Sequence, residues 1–179
     1  MAATAKPFSS QAVRTQRAKS SKESAMNFIT HTFTVLVDET LSVEEATRLG
    51  SFNWSNENIT SANFPKPANG QNKEKEVVLF HFGRTMSSTA VIVEMDKAGY
   101  KPATIWDLLG LAKKEPDLQR KFPVVALGSV CRLRGGRLVA FLFGLSGVRR
   151  LLLGYFDSVW DGILSVRWRA QVSPQDFGT

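Results

Sequence analysis

Along residues 28–37 the chain alternates: Phe33, Val35 and Val37 share one parity, and Thr32, Thr34 and Leu36 the other. A period of two in a β-branched run predicts a half-buried strand, with His31 in a structural role. Ser42-Val43-Glu44-Glu45 then has the form of a capping box, in which the Ser42 hydroxyl accepts from the Glu45 amide while the Glu45 carboxylate reaches back. It predicts a short helix with Ala46 and Leu49 on its apolar face and Gly50 as its stop.

Residues 51–75 are polar and carry Pro65, Pro67 and the turn pair Asn69-Gly70. They predict a loop pinned to the core by Phe52, Trp54 and Phe64. Asn53, Ser55, Asn56, Glu57 and Asn58 supply oxygens that a calcium ion would use. With one carboxylate and no EF-hand spacing, they are better read as a hydrogen-bonded loop. Residues 76–82 predict a second strand, left through Gly83-Arg84-Thr85-Met86. Ser88 is the expected cap of a helix over residues 89–98, with Val91, Ile92 and Met95 as its stripe and Gly99 as its end. Thr104 with Asp107 starts another helix, 105–114, which Trp106, Leu108, Leu109 and Leu111 make mostly buried. Pro116 breaks it, leaving 117–121 as a turn or short helical extension.

From Phe122 the apolar runs become short and are separated by glycine. Strands are expected at 124–127, 138–143 and 163–168, with Gly144, Gly147, Gly154 and Gly162 in the loops between them. Gly135-Gly136 reads as a hairpin turn. The expected class is α+β, with helices packed on a small antiparallel sheet and a loop-rich C-terminal region.

Composition narrows this. A chain of 179 residues, 43% apolar, suits one domain with a sizeable core. No apolar run reaches the ~20 residues of a membrane span, and the basic start lacks the apolar stretch of a secretory signal. The default expectation is therefore the cytoplasm. The net charge of +7 is uneven: residues 1–27 hold Lys6, Arg14, Arg17, Lys19 and Lys22 against Glu23. That segment is expected to be a disordered basic arm, followed by a single domain over 28–170 and a flexible tail over 171–179.

Candidate chemistry adds little. Gly128-Ser129-Val130 lacks the flanking glycines of a nucleophile elbow, and Arg134-Gly135-Gly136-Arg137 has neither the spacing nor the Lys-Ser/Thr end of a phosphate loop. Two histidines and one cysteine make a zinc site improbable, and Cys131 is expected to be a small buried hydrophobe. No catalytic residue, metal or cofactor is expected, and the chain is read as a non-enzyme.

One anomaly remains. Residues 122–166 contain no Lys, Glu, Gln or Met, although the other 134 residues contain 30 of them. Their basic residues are five arginines, Arg132, Arg134, Arg137, Arg149 and Arg150. Codons ending in a pyrimidine never encode Lys, Glu, Gln, Met or Trp, and of these five only Trp160 occurs. Mutation of adenines in Asn-type codons would leave such an alphabet. A glycine-rich β segment that excludes long polar side chains would account for part of it as well.

The run Tyr100 to Leu109 (Tyr-Lys-Pro-Ala-Thr-Ile-Trp-Asp-Leu-Leu), then Phe-Pro-Val-Val-Ala-Leu-Gly-Ser from Phe122, then Trp160 and Leu164-Ser165-Val166-Arg167, resembles a known family. It is similar to the small C-type-lectin-fold variable proteins of diversity-generating retroelements in minimal-genome bacteria, over roughly residues 30–168. The resemblance implies a C-type lectin-like fold with a framework over 28–121 and a variable region over 122–168. It implies framework roles for Leu142, Leu151, Leu153, Phe156, Trp160, Leu164 and Val166. The diversified, ligand-binding positions would be Leu145, Ser146, Val148, Arg150, Leu152, Gly154, Tyr155, Ser158 and Val159. Enzymes of the formylglycine-generating type share that fold, but the single cysteine here cannot supply their cysteine pair.

The function expected is non-enzymatic ligand binding through a hypervariable surface, with a protein or other macromolecule as partner. Leu145, Val148, Leu152 and Val159, with Arg149, Arg150 and Tyr155, would suit a hydrophobic or acidic partner. The alternative is a nucleic-acid-associated protein using the basic arm and Arg132, Arg134 and Arg137.

Overall fold

The computed structural model describes residues 28–145 and 147–160, apart from the side chain of Ile29, and the backbone of 164–169. The expected arm (1–27) and tail (171–179) lie outside the described residues, as do Ser146 and Gly162.

The protein is mixed α+β. In chain order its elements are β1 (Ile29–Asp38), α1 (Val43–Leu49), β2 (Trp54–Ser55), β3 (Asn72–His81), β4 (Met86–Ser87), α2 (Ser88–Lys97) and β5 (Lys101–Pro102). Then follow α3 (Ile105–Lys114), α4 (Leu118–Lys121), β6 (Val124–Leu133), β7 (Gly136–Leu145), β8 (Val148–Tyr155), β9 (Val159–Trp160) and β10 (Leu164–Arg169). One sheet runs β1-β3-β10-β6-β7-β8-β2, with β5 beside β10, and β4 pairs β9 separately. The β10–β6 and β2–β8 pairs are parallel, and the other pairs are antiparallel.

Each face of the sheet is covered differently. On one, Val35, Val37, Val77, Leu79, Val124, Ala126, Ala140, Leu142 and Leu151 pack with the buried side of α3. On the other, Val78, Phe80, Val125, Leu127 and Val139 pack with Val91 and Met95 of α2 and with Phe156 and Trp160. Central strands buried on both faces read as continuous apolar runs, as 77–80 and 124–127 do.

Both capping boxes form: the Ser42 amide donates to Glu45 at 2.9 Å, and the Thr104 amide donates to Asp107 at 2.7 Å. The helix over 89–98 is shifted by one residue. Its cap is Ser87, whose hydroxyl accepts from the Ala90 amide at 3.2 Å. Ser88 is buried and takes the Trp160 indole N–H at 2.7 Å. Ser88→Ala is expected to cost about 1–3 kcal/mol in chemical denaturation, because it leaves that indole N–H buried without an acceptor.

Two further expectations change. Leu49 is 50% exposed, and Val43 and Ala46 supply the buried side of α1. Gly50 is helical at φ −70°, and Ser51 takes the left-handed turn at φ +50°. Glycine suits position 50 because a Cβ there would overlap the Phe52 ring.

The largest difference lies after Phe122. Beside the expected short strands, β6, β7 and β8 form an antiparallel meander of ten, ten and eight residues, with a register shift in the β6–β7 pair between Val125 and Val130. Residues 148–155, expected as loop, are a strand, and Gly144 and Gly154 lie inside strands. Gly144 is required by close packing, since a Cβ there would sit 2.5 Å from the Gln119 carbonyl oxygen of α4. The turn Arg134-Gly135 does join a hairpin, with Leu133 opposite Gly136.

Candidate ligand-binding surface

The hairpin β7–β8 pairs Leu145 with Val148, Phe143 with Arg150, Phe141 with Leu152 and Val139 with Gly154. Side chains opposite one another in an antiparallel pair share a face, and successive residues alternate between faces. Arg149, Leu151 and Leu153 therefore point to the α3 side, where Arg149 and Leu151 are buried and Leu153 packs on the core. Val148, Arg150, Leu152 and Gly154 point to the other side, which α2 and β9 cover only in part.

What that face shows depends on position along the strand. At its turn end, Leu145 is 59% exposed, and Val148, Arg150 and Leu152 line a shallow open cleft of about 330 Å³ together with Trp54. Trp54 pairs with Arg150 through the short β2 and is 49% exposed. The aromatic expected to anchor the loop is instead part of this surface; Phe64 is buried and Phe52 packs on the core. Arg150 makes no ion pair among the described residues.

The other expected positions do not join that patch. Gly154 lies six residues from Val148, roughly 20 Å along the strand. A Cβ on it would sit 2.9 Å from the Trp160 ring and 3.2 Å from Phe141, so Gly154 is a packing position. Tyr155 is exposed but opposite Leu138, on the α3 side of the sheet, over the Gly135-Gly136 turn. Ser158 and Val159 are exposed beyond it, and Val159 pairs with Ser87. Ser146 lies outside the described residues. Of the framework positions, Leu142, Leu151, Phe156 and Trp160 are buried and Leu153 is partly buried; the side chains of Leu164 and Val166 lie outside the described residues.

The loop under the cleft is built by its own polar groups. Asn56 accepts from the Asn58 amide at 2.9 Å, and the Asn53 side chain accepts from the Arg149 amide at 2.7 Å. These bonds give the asparagine-rich run a structural role in holding β2 against β8. Arg149 itself donates to the Ala112 carbonyl at 2.8 Å and the Ser51 carbonyl at 3.1 Å, and its guanidinium lies over Phe52. Burial, helped by nearby Arg120, holds its pKa below the ordinary arginine value.

The arginine hairpin is less cationic than its sequence suggests. Arg137 faces Arg132 across the strands but is bound to Asp157 and lies over the Phe156 ring. Its pKa is raised, chiefly by the Asp157 hydrogen bond. Ser129 has a structural partner, since its hydroxyl accepts from the Ile105 amide at 3.0 Å where α3 begins. Cys131 is a free, buried thiol whose pKa burial pushes up. Among the described residues no three His, Cys, Asp or Glu side chains are placed to hold a metal ion. No helix among them is long and apolar enough to cross a membrane.

Fold and surface thus define a class: a mixed α+β protein whose central sheet presents, among the described residues, a partly apolar face that carries Arg150 without an ion pair. Compared with family models, characterised proteins and solved structures, the chain matches none.

Proposed function

We propose that this chain is a non-enzymatic ligand-binding protein on a C-type lectin-like scaffold, whose segment 122–168 is diversified at displayed positions. One observation carries the reading. Along β8 the residues Val148, Arg150 and Leu152 face outward, while Arg149, Leu151 and Leu153 between them face the core. Displayed side chains in such a strand can change without disturbing the packing on the other face. The recognition surface is the turn end of β7–β8 with Trp54. Gly154 belongs to the framework, and Tyr155, on the other side of the sheet, serves at most a separate contact.

The test has two arms. Replacing Leu145, Val148, Arg150 and Leu152 together by serine is expected to change stability by no more than about 2 kcal/mol, since single surface substitutions lie within about 0.5 kcal/mol. Leu151→Ser in the same strand should unfold much of the population. Unfolding by the quadruple variant would show that these side chains are core. The second arm is the coding DNA: a near-copy of its 3′ end differing only at adenines, beside a reverse transcriptase gene, is expected, and its absence ends the diversification half of the proposal. The nucleic-acid alternative would rest on exposed Arg132 and Arg134 and the N-terminal segment, and it requires binding that weakens steeply with salt.

A further inference from the structure

The strand that carries the displayed residues is also left partly unpaired. β2 covers β8 only opposite Arg150 and Leu151. The Asn53 amide donates to the Arg149 carbonyl at 2.9 Å, the Asn56 amide to the Leu151 carbonyl at 2.9 Å, and the Arg149 amide to Asn53 at 2.7 Å. The backbone groups of 149 and 151 therefore point away from β7. In an antiparallel ladder that orientation recurs every second residue, so the N–H and C=O of Leu153 point the same way. Neither has a partner among the described residues, and the Tyr155 carbonyl beyond takes only the Ser158 amide, at 3.2 Å. Past Ser55 the chain turns off, with the Ile59 amide on the Asn56 carbonyl, and no described residue fills the slot beside Leu153.

An open backbone edge beside an apolar cleft is the arrangement by which proteins take up an extended peptide as an added strand. The chemistry of the cleft selects the peptide. Trp54, Val148 and Leu152 offer apolar surface, and Arg150 offers one guanidinium with no ion pair among the described residues. Nearby Arg120 is already paired with Asp117, and Arg149 is spent on backbone carbonyls, which leaves Arg150 as the cation open to a ligand. Side chains two positions apart in an extended chain share a face about 6.6 Å apart. We infer that the edge of β8 at Leu153, with the Trp54 cleft, receives an extended segment of a partner protein that carries a carboxylate two positions from an aliphatic side chain. This rests on the recognition surface proposed above and names what it would bind.

The probe is an end-capped hexapeptide, Thr-Leu-Thr-Glu-Thr-Leu, added to the 15N-labelled full chain. Saturable shifts are expected at the amides of Leu153 to Tyr155 and at the Trp54 indole, with a dissociation constant on the order of 1 mM for so short a peptide. Lysine in place of glutamate should weaken binding at least tenfold, and N-methylation of alternate peptide amides should abolish it. Arg150→Glu should reverse the preference between the two peptides. Equal binding of both, shifts confined to β1 or to the Arg134 hairpin, or no saturation overturns the inference. So does slow hydrogen exchange of the Leu153 amide in the free protein, which would mean that another segment or a second copy already fills the slot. Oligothymidylate shifting the same amides with steep salt dependence overturns it as well. If the quadruple serine variant stays folded while the peptide fails, only this occupant is lost and the display surface stands.

Discussion

Asp107→Ala lowers the free energy of unfolding by about 2–4 kcal/mol, the sum of a lost helix cap and a lost buried hydrogen bond to a charged donor. Asp107 is fully buried and does two jobs with one carboxylate. One oxygen accepts from the amide and hydroxyl of Thr104, at 2.7 and 2.8 Å, closing the box that starts α3. The other meets the Lys75 ammonium at 3.0 Å, and Lys75 also binds Glu39 at 2.6 Å. Thr104→Ala, which removes only the cap, should cost about 1 kcal/mol. Equal losses in urea denaturation would mean that the lysine contact contributes nothing.

The pH dependence separates the two contributions. Burial alone would push the Lys75 ammonium down, but its hydrogen bond to Glu39 and the charge of Asp107 outweigh that, and its pKa lies above the ordinary 10.5. A raised folded value stabilises fully below the unfolded value and loses that contribution as pH rises through the folded one. The gap between wild type and Asp107→Ala should therefore hold from neutral pH to about pH 10 and narrow above it. A gap that stays constant into strong alkali would assign the whole effect to the cap.

Two adjacent arginines should behave as opposites. Arg149→Ala is expected to cost about 2–4 kcal/mol, because it leaves the Ala112 and Ser51 carbonyls without their charged donor. Ala112 lies in the last turn of α3, so Arg149 also places a cation at a helix C-terminus, where it is favoured. Arg149→Lys should recover little, since a point charge cannot reach two carbonyls and lie over Phe52 as the planar guanidinium does. Arg150→Ala should stay within about 0.5 kcal/mol of wild type. Denaturant midpoints for the two single variants decide the matter, and similar losses would contradict the alternation of faces along β8.

Much of the frame could be read in the sequence because local chemistry dictated it. Ser42 with Glu45 and Thr104 with Asp107 form the boxes their spacing implies, and β1 buries Val35 and Val37 as its alternation requires. β8 was hidden because both of its faces are apolar. In Val-Arg-Arg-Leu-Leu-Leu-Gly-Tyr the period of two disappears, and the flanking glycines imitate turn signals. Of two neighbouring arginines, one is buried and one displayed, and only tertiary context distinguishes them. Trp54 was misassigned for a related reason. Aromatic residues in polar loops usually anchor to the core, and nothing local revealed that β2 would lie along β8. The missing signal was the Asn53 side chain, whose bond to the Arg149 amide links positions almost a hundred residues apart. The restricted alphabet of 122–166 has a partial physical cause, since Val124 to Leu127 and Val139, Ala140 and Leu142 of β7 are buried and admit no long polar side chain. Exposed Arg132, Arg134 and Arg150 are not explained by burial.

The place of β10 has a consequence for biosynthesis. It lies between β3 and β6, pairing Leu79 with Val166 on one side and Ala126 with Val166 on the other. Before it emerges from the ribosome, the edges of β3 and β6 that it joins have no strand between them. A frameshift or premature stop upstream of Leu164 removes the piece that joins them, so faulty copies are left for proteases. Because β6, β7 and β8 are translated before β10, a message has to be read through Arg169 before the sheet can close.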